Sequence, residues 1–165
     1  MINIFQPSLG EKELNKIKEV FDSNWLGRGS VVHEFEAKFA ENLSSNKDNF
    51  YATTCCTEGL FLAAELFNFQ PEDEIIVPTI SFIAAGSAVV DSGAKLVLCD
   101  VDKRSLNATV KTISEKITRN TKAIILNHYG GHPCDMDDIL NLARKNNLYI
   151  IEDSACAVQS FYKGK

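Results

Sequence analysis

Hydrophobic residues follow a helical pattern in the first third of the chain. Apolar positions recur every three to four residues in two stretches separated by Gly27-Arg28-Gly29. They are Leu14, Ile17 and Phe21 in the first stretch, and Val32, Phe35, Phe39 and Leu43 in the second. Ser8-Leu9-Gly10-Glu11 has the form of a capping box, and Ser30 is a candidate N-cap for the second helix. Residues 1–45 are therefore predicted to form a helical N-terminal segment.

From about Asn49 onward, short apolar stretches rich in β-branched residues alternate with helical patterns. The predicted strands are 50–53, 75–77, 96–99, 123–126 and 148–151. The predicted helices are 57–67, 82–91, 110–117 and one that Asp135 caps. Strands that are apolar on both faces are typical of a sheet covered by helices on each side. The pattern predicts an α/β fold with a mainly parallel, doubly wound sheet, in one domain over residues 1–165.

Charge and composition exclude several classes of protein. The 165 residues include 17 Lys and Arg against 22 Asp and Glu, a net charge of −5, which argues against nucleic-acid binding. The longest uncharged run, Ile75 to Val90, is interrupted by polar and small residues and is shorter than the ~20 apolar residues of a membrane span. Met1 to Gln6 has no basic stretch followed by an apolar run, so no signal peptide is expected. We expect a cytoplasmic protein that binds neither nucleic acid nor membrane.

Five cysteines are present, two of them adjacent, with no C-x-x-C pair. They are Cys55, Cys56, Cys99, Cys134 and Cys156. An odd number without paired spacing predicts buried free thiols in a reducing cytoplasm rather than disulfides or a zinc site. His128, His132, Cys134 and Asp135 lie close together, but in a turn with Gly-Gly and Pro and without a further ligand set. No metal site is predicted.

Polar and aromatic residues follow the predicted strands at the edge where parallel sheets bind ligands. Thr54-Cys55-Cys56-Thr57 opens a helix, whose N–H groups and dipole can hold a phosphate. Ordinary N-capping by Thr54 or Thr57 is the alternative. Phe82, after the second strand, is either an aromatic residue at this edge or part of the core.

Glu152 and Asp153 directly follow the last predicted strand. Two acids after four apolar residues are costly to bury without partners, and neighbouring strand residues point to opposite faces. One acid can therefore face the ligand edge while the other turns away; capping or salt-bridged acids are the alternative. The chain has no G-x-G-x-x-G, no P-loop and no G-x-S-x-G.

Longer segments of the chain point, in their order, to a known family. They are Trp25–Gly29, Phe35-Glu36, Phe39-Ala40, Cys56–Leu60, Pro71–Phe82, Gly93-Ala94, Cys99–Asp102, Thr121–Ile125, His128–Gly130, Cys134–Asp137 and Ile151–Ala157. Together they resemble the DegT/DnrJ/StrS-type sugar-nucleotide aminotransferases, which are fold type I pyridoxal-phosphate enzymes. The resemblance covers nearly the whole chain, which looks like only the N-terminal portion of such an enzyme. It implies an incomplete pyridoxal-phosphate-binding large domain.

The resemblance assigns roles to five residues. Cys56, where the family often has Gly, and Thr57 match the pair that holds the phosphate of pyridoxal 5′-phosphate. Phe82 matches the aromatic residue that stacks on the pyridine ring. Asp153 matches the acid that pairs with the ring nitrogen and keeps it protonated, so that the ring accepts electrons. Cys156 stands where many members have Gln or His beside the ring oxygen.

The resemblance also implies an activity and partners. The parent enzyme is expected to be a homodimer that moves an amino group, with glutamate as the expected donor, to a nucleotide-linked keto-sugar. Its products would be amino sugars for surface polysaccharide such as lipopolysaccharide. The family's Schiff-base lysine lies beyond Lys165, and Lys163 and Lys165 resemble the surface turn before it. The chain alone is therefore expected to be inactive.

Three alternatives remain open from the sequence. A dehydratase of the same family uses His in place of the Schiff-base Lys. The chain is otherwise a truncated, non-catalytic fragment or dimerisation module. More distantly, a nucleotide-binding module of another doubly wound family would bind a nucleotide and ignore pyridoxal phosphate.

Overall fold

A computed structural model describes residues 7–164 of the chain. Residues 1–6, on which the expected lack of a signal peptide rests, and Lys165 lie outside the described residues. The chain divides after Ala52 into two compact units. The single domain over residues 1–165 stays a prediction.

The first unit is helical, as predicted. It contains α1 (Glu11–Asp22), α2 (Ser30–Asn42) and a short 3₁₀ helix (Lys47–Asn49). The predicted caps were wrong, because a glycine occupies each N-cap position. Gly10 precedes α1 and donates its N–H to the Glu13 carboxylate at 2.7 Å, whereas Ser8 lies outside the cap. Gly29 precedes α2, and Ser30 is its first helical residue.

Close packing against an indole explains the glycine before α2. A Cβ at Gly29 would lie 2.7 Å from Cδ1 and Nε1 of Trp25. The same Nε1 donates a hydrogen bond to the Arg28 carbonyl at 3.2 Å, which holds the ring over the turn. A side chain larger than hydrogen is therefore excluded at Gly29 unless the indole moves.

The predicted strand over residues 50–53 was wrong. These residues belong to none of the strands in the described part of the chain. The N–H of Ala52 donates instead to the buried Glu36 carboxylate at 2.8 Å, which also receives Arg28 Nη2 at 2.8 and 2.9 Å. The hydrogen bonds from Ala52 and Arg28 lower the pKa of Glu36 below its ordinary value. The Glu36 carboxylate thus accepts the backbone N–H that would pair with a neighbouring strand if residues 50–53 formed one.

The second unit is an α/β fold with a parallel sheet, so the predicted fold class is confirmed. Its elements in chain order are α3 (Cys56–Leu66), β1 (Glu74–Pro78), α4 (Ile83–Asp91), β2 (Lys95–Cys99), α5 (Val110–Ser114), β3 (Thr121–Asn127), α6 (Met136–Asn146) and β4 (Tyr149–Asp153). The four strands are all parallel, in the order β2-β1-β3-β4. Among residues 7–164, no helix is long and apolar enough to cross a membrane.

Alternation along the central strands builds a core on each face of this sheet. In β1, Ile75 and Val77 pack with residues of α3 and α4, while Ile76 packs with residues of α5 and α6. In β3, Ala123 and Ile125 share the first face, and Ile124 and Leu126 share the second. From β1 the chain continues to β2, which lies on one side of β1 in the sheet. It then crosses to β3, which lies on the other side of β1. The carboxyl ends of β1 and β3 therefore flank the switch point where such sheets bind ligands.

Truncation of the central strand tests this arrangement. Ile124 is fully buried in β3, so Ile124→Ala removes apolar contacts and leaves a cavity. The free energy of unfolding should fall by about 2–5 kcal/mol. Leu66→Ala, at a residue 84% exposed at the end of α3, should change it by less than about 0.5 kcal/mol. Urea unfolding followed by circular dichroism compares the two, and equal losses would contradict the assigned core.

Candidate functional site

The carboxyl end of β4 meets the N-terminus of α3. Asp153 is the last residue of β4 and only 3% exposed, and Cys56 is the first residue of α3. The Cys56 Sγ lies 3.5 Å from Asp153 Oδ1. The fold thus joins two of the residues predicted for the site across 97 positions of sequence.

Local hydrogen bonds fix the Asp153 carboxylate. The N–H of Ala155 donates to Oδ1 at 3.1 Å, and the Cys56 thiol donates to the same oxygen. Oδ2 accepts neither of these bonds. The Asp153 backbone is held as well, since it pairs in register with Asn127 of β3 and its carbonyl accepts the N–H of His128 at 3.3 Å. Burial of the Asp153 carboxylate is tolerable because these donors reach Oδ1, and Oδ2 is left for a further donor.

Glu152 turns to the opposite face of β4, which confirms that the two acids face opposite sides. Its Oε2 accepts a hydrogen bond from Nε2 of the buried His128 at 2.9 Å. The other ring nitrogen of His128, Nδ1, accepts the N–H of Cys134 at 3.2 Å. Both nitrogens are therefore engaged within the protein. In the described part of the chain, no three His, Cys, Asp or Glu side chains are arranged to hold a metal ion.

The start of α3 is capped from within the helix. Cys55 is the N-cap, and the Glu58 carboxylate reaches back to accept the N–H and hydroxyl of Thr54, both at 2.7 Å. The alternative of capping by the hydroxyl of Thr54 or Thr57 was therefore wrong, since neither caps the helix. Thr57 is half-buried in the first turn. The positive end of the helix dipole lies at this turn and favours an anion.

The five cysteines are free, as predicted, but their predicted burial was wrong for three of them, since only Cys99 and Cys134 are buried. The adjacent Cys55 and Cys56 differ in acidity. Desolvation and the Asp153 carboxylate raise the pKa of the Cys56 thiol to about 11. The backbone of Glu58 and the hydroxyl of Thr54 lower the pKa of the exposed Cys55 thiol below its ordinary value. At neutral pH, Cys56 is thus a neutral donor to Asp153, and Cys55 is the more acidic thiol.

Phe82 and Cys156 lie in the segments that follow β1 and β4. Phe82 is the N-cap residue of α4 and is 65% exposed, so the alternative of a core residue was wrong. Cys156 is exposed in the turn after Asp153. Its carbonyl oxygen lies 2.9 Å from the position of a Cβ at Gly131, whose φ of +82° also requires glycine. The turns after β3 and β4 therefore pack closely against each other.

Comparison with known proteins identifies the family. The model of the DegT/DnrJ/EryC1/StrS aminotransferase family matches residues 7–165, and the chain belongs to this family. It is 44% identical over 164 residues to the dTDP-4-dehydro-2,3,6-trideoxy-D-glucose 4-aminotransferase of Saccharopolyspora spinosa, covering 99% of this chain and 43% of the relative. It is 42% identical over 167 residues to the GDP-perosamine synthase of Escherichia coli O157:H7, covering 99% of this chain and 45% of that enzyme.

A solved structure agrees with the fold. The aminotransferase TlmJ from Streptoalloteichus hindustanus superposes with a TM-score of 0.92 at 49% identity, over 96% of this chain and 43% of that one. The predicted family membership is confirmed. The chain spans less than half the length of these relatives.

Thiol reactivity tests the electrostatics at the start of α3. With limiting iodoacetamide near neutral pH, Cys55 should be alkylated more than about tenfold faster than Cys56, because only the thiolate reacts. Peptide fragmentation by mass spectrometry distinguishes the adjacent residues. In Asp153→Asn the Cys56 pKa should fall and its labelling should accelerate, while Cys55 serves as the internal reference. Equal initial rates at Cys55 and Cys56 would contradict the assigned hydrogen bond to Asp153.

Proposed function

We propose that this chain forms the cofactor-binding half-site of a pyridoxal-phosphate-dependent aminotransferase that acts on a nucleotide-linked keto-sugar. The observation that carries the proposal is the buried Asp153 carboxylate beside the first residue of α3, with Cys56 Sγ 3.5 Å from Oδ1. The site offers a carboxylate for a cationic ring nitrogen and a helix N-terminus for a phosphate, side by side.

The residues present fit the chemistry of pyridoxal 5′-phosphate. Its phosphate suits the backbone N–H groups of Cys56 and Thr57 and the positive end of the α3 dipole. Its pyridine nitrogen suits Asp153, whose Oδ2 accepts neither of the two local hydrogen bonds. The exposed ring of Phe82 would offer an aromatic face to the pyridine ring, and the exposed Cys156 would offer a thiol to the ring oxygen. These roles are proposals supported by the family and by the placement of Asp153 and Cys56.

When bound, the cofactor supplies the aldehyde that accepts an amino group and the ring that takes up electrons. Asp153 holds a proton on the ring nitrogen, because a nearby carboxylate favours the protonated form. Cys56 keeps its own proton at neutral pH and so adds no second negative charge beside Asp153. The start of α3 anchors the phosphate.

Lys163 is not the lysine that bonds covalently to the cofactor. Its Nζ forms an ion pair with Asp137 in the first turn of α6. That hydrogen bond, together with the one to Tyr162, raises the pKa of Lys163, which works against a nucleophilic amine. Lys165 lies outside the described residues. We therefore propose that the catalytic lysine lies beyond this chain and that the chain alone has no turnover.

The substrate class rests on the relatives' names. They include a dTDP-sugar 4-aminotransferase, a GDP-perosamine synthase and the spore coat polysaccharide biosynthesis protein SpsC of Bacillus subtilis, which is 34% identical to this chain. These names support a nucleotide-linked keto-sugar as acceptor and a role in amino-sugar synthesis for polysaccharide. Glutamate as amino donor and a cytoplasmic location are proposed from the family resemblance alone. A choice of dehydration over transamination would depend on the residue at the family's Schiff-base position.

The homodimer is proposed from the family resemblance, and exposed apolar side chains on α1 offer a surface that a second chain could cover. Leu14, Ile17 and Phe21 share one helical face, yet each is at least half exposed in the single chain. A helix that presents such a face to solvent gains stability when a second chain covers it.

Removal of the Asp153 charge tests the half-site. Asp153→Asn keeps the size of the side chain but removes its charge, so the dissociation constant for pyridoxal phosphate should rise about tenfold or more. Titration of the chain with pyridoxal phosphate, followed by absorbance, measures this dissociation constant. Asp91→Asn, at an exposed acid on the last residue of α4, is the matched control and should bind as the parent chain does. Unchanged binding of pyridoxal phosphate by Asp153→Asn would contradict the proposed half-site.

Borohydride reduction tests the missing lysine. The chain saturated with pyridoxal phosphate, treated with borohydride and analysed by peptide mass spectrometry, should carry no adduct at a single lysine. A stoichiometric adduct at one site would show that the catalytic lysine is within the chain and that the proposed inactivity is wrong.

A further inference from the structure

A buried histidine joins the ends of β3 and β4. His128 directly follows β3 and is 5% exposed. Its N–H donates to the Asp153 carbonyl at 3.3 Å, and its Nε2 lies 2.9 Å from Glu152 Oε2. One residue therefore holds the last two residues of β4, one through the main chain and the other through the side chain.

The hydrogen bonds define the tautomer of the imidazole. Because Nδ1 accepts the N–H of Cys134, the proton of the neutral ring resides on Nε2 and is donated to Glu152. The Glu152 side chain is 47% exposed, whereas the His128 side chain is 6% exposed. The buried His128 ring is therefore held by its contacts within the protein, and the half-exposed Glu152 carboxylate takes its position from the ring.

The turn after β3 has an anchor of its own. The Asn107 carboxamide accepts the N–H of Tyr129 at 2.9 Å and donates to the His132 carbonyl at 2.8 Å. Ser160 donates its hydroxyl to the Gly131 carbonyl at 2.6 Å. These bonds hold the turn without the His128 side chain. The hydrogen bond from His128 Nε2 to Glu152 therefore acts on the end of β4.

We propose that His128 and Glu152 form a positioning pair for Asp153. Glu152 and Asp153 are consecutive strand residues with opposite orientations, so a hydrogen bond that fixes Glu152 on one face also fixes the direction of the Asp153 carboxylate on the other. The pair holds Asp153 Oδ1 against Cys56 and Ala155 and orients Oδ2 for the cofactor's ring nitrogen. This inference rests on the proposed function of Asp153, while its first test does not require the cofactor.

Amide hydrogen exchange reports the carboxylate position directly. The Ala155 N–H bonds to Asp153 Oδ1, so its exchange in the full chain should accelerate about tenfold in His128→Phe and in Glu152→Ala. His128→Gln, which keeps a side-chain N–H donor, should restore part of the protection. Glu72→Ala, at an exposed acid before β1, is the matched control and should leave Ala155 unchanged. Exchange of the Ile76 amide in β1 is the reference for global stability. It should stay unchanged if the effect on Ala155 is local, and it should accelerate as well if the whole fold is destabilised.

A double-mutant cycle then tests whether the pair acts through Asp153. His128→Phe should weaken binding of pyridoxal phosphate about tenfold in the parent chain and hardly at all in the Asp153→Asn background. Additive losses would mean that His128 acts on binding independently of Asp153. Glu152→Ala, which changes a half-exposed side chain, gives the same comparison if His128→Phe does not fold.

The outcomes separate the two proposals. If Asp153→Asn binds as the parent chain does, the proposed function fails, and the Ala155 exchange still decides whether the pair positions the carboxylate. If Asp153→Asn weakens binding but His128→Phe leaves both Ala155 exchange and affinity unchanged, the positioning pair is wrong and the half-site stands.

Discussion

The candidate site depends on the burial of one carboxylate at the end of a parallel strand. Asp153 tolerates this position because two donors reach Oδ1 and because its carbonyl is paired with the N–H of His128. The donors come from α3, from the turn after β4 and from the end of β3. Because β3 and β4 run in the same direction, their carboxyl ends lie at one edge of the sheet, where the N-terminus of α3 meets them.

The doubly wound sheet was predictable because its signal is local. Each central strand alternates between the two cores, and the apolar residues of α6 keep helical spacing, so short windows of sequence indicate each element. The strand over residues 50–53 was not predictable in this way. Its aromatic residues and Thr53 are typical of a strand. Strand formation requires a neighbour, however, and the Ala52 N–H is bonded to Glu36 instead. The helix caps failed for a local reason that a capping motif does not contain: Gly10 donates to Glu13, and Gly29 packs against the Trp25 ring four residues before it.

The candidate site was predictable only in part. The order of its segments indicated the family and hence Cys56, Thr57, Phe82, Asp153 and Cys156, and opposite orientations for Glu152 and Asp153 follow from strand geometry. The contact of Cys56 Sγ with Asp153 across 97 residues does not follow from any local pattern. From the sequence, His128 is a rejected metal ligand and the first residue of a segment shared with the family, and neither observation assigns it a role beside Asp153. Its position two residues after the predicted strand 123–126 was the available signal, because residues there lie at the ligand edge.

The central claim is that Asp153 keeps the cofactor's ring nitrogen protonated. The most direct measurement is the nitrogen chemical shift of ring-labelled ¹⁵N pyridoxal phosphate bound to the chain near neutral pH. The parent chain should give the shift of a protonated pyridinium, and Asp153→Asn should give that of an unprotonated pyridine. An unprotonated ring nitrogen in the parent chain would contradict it.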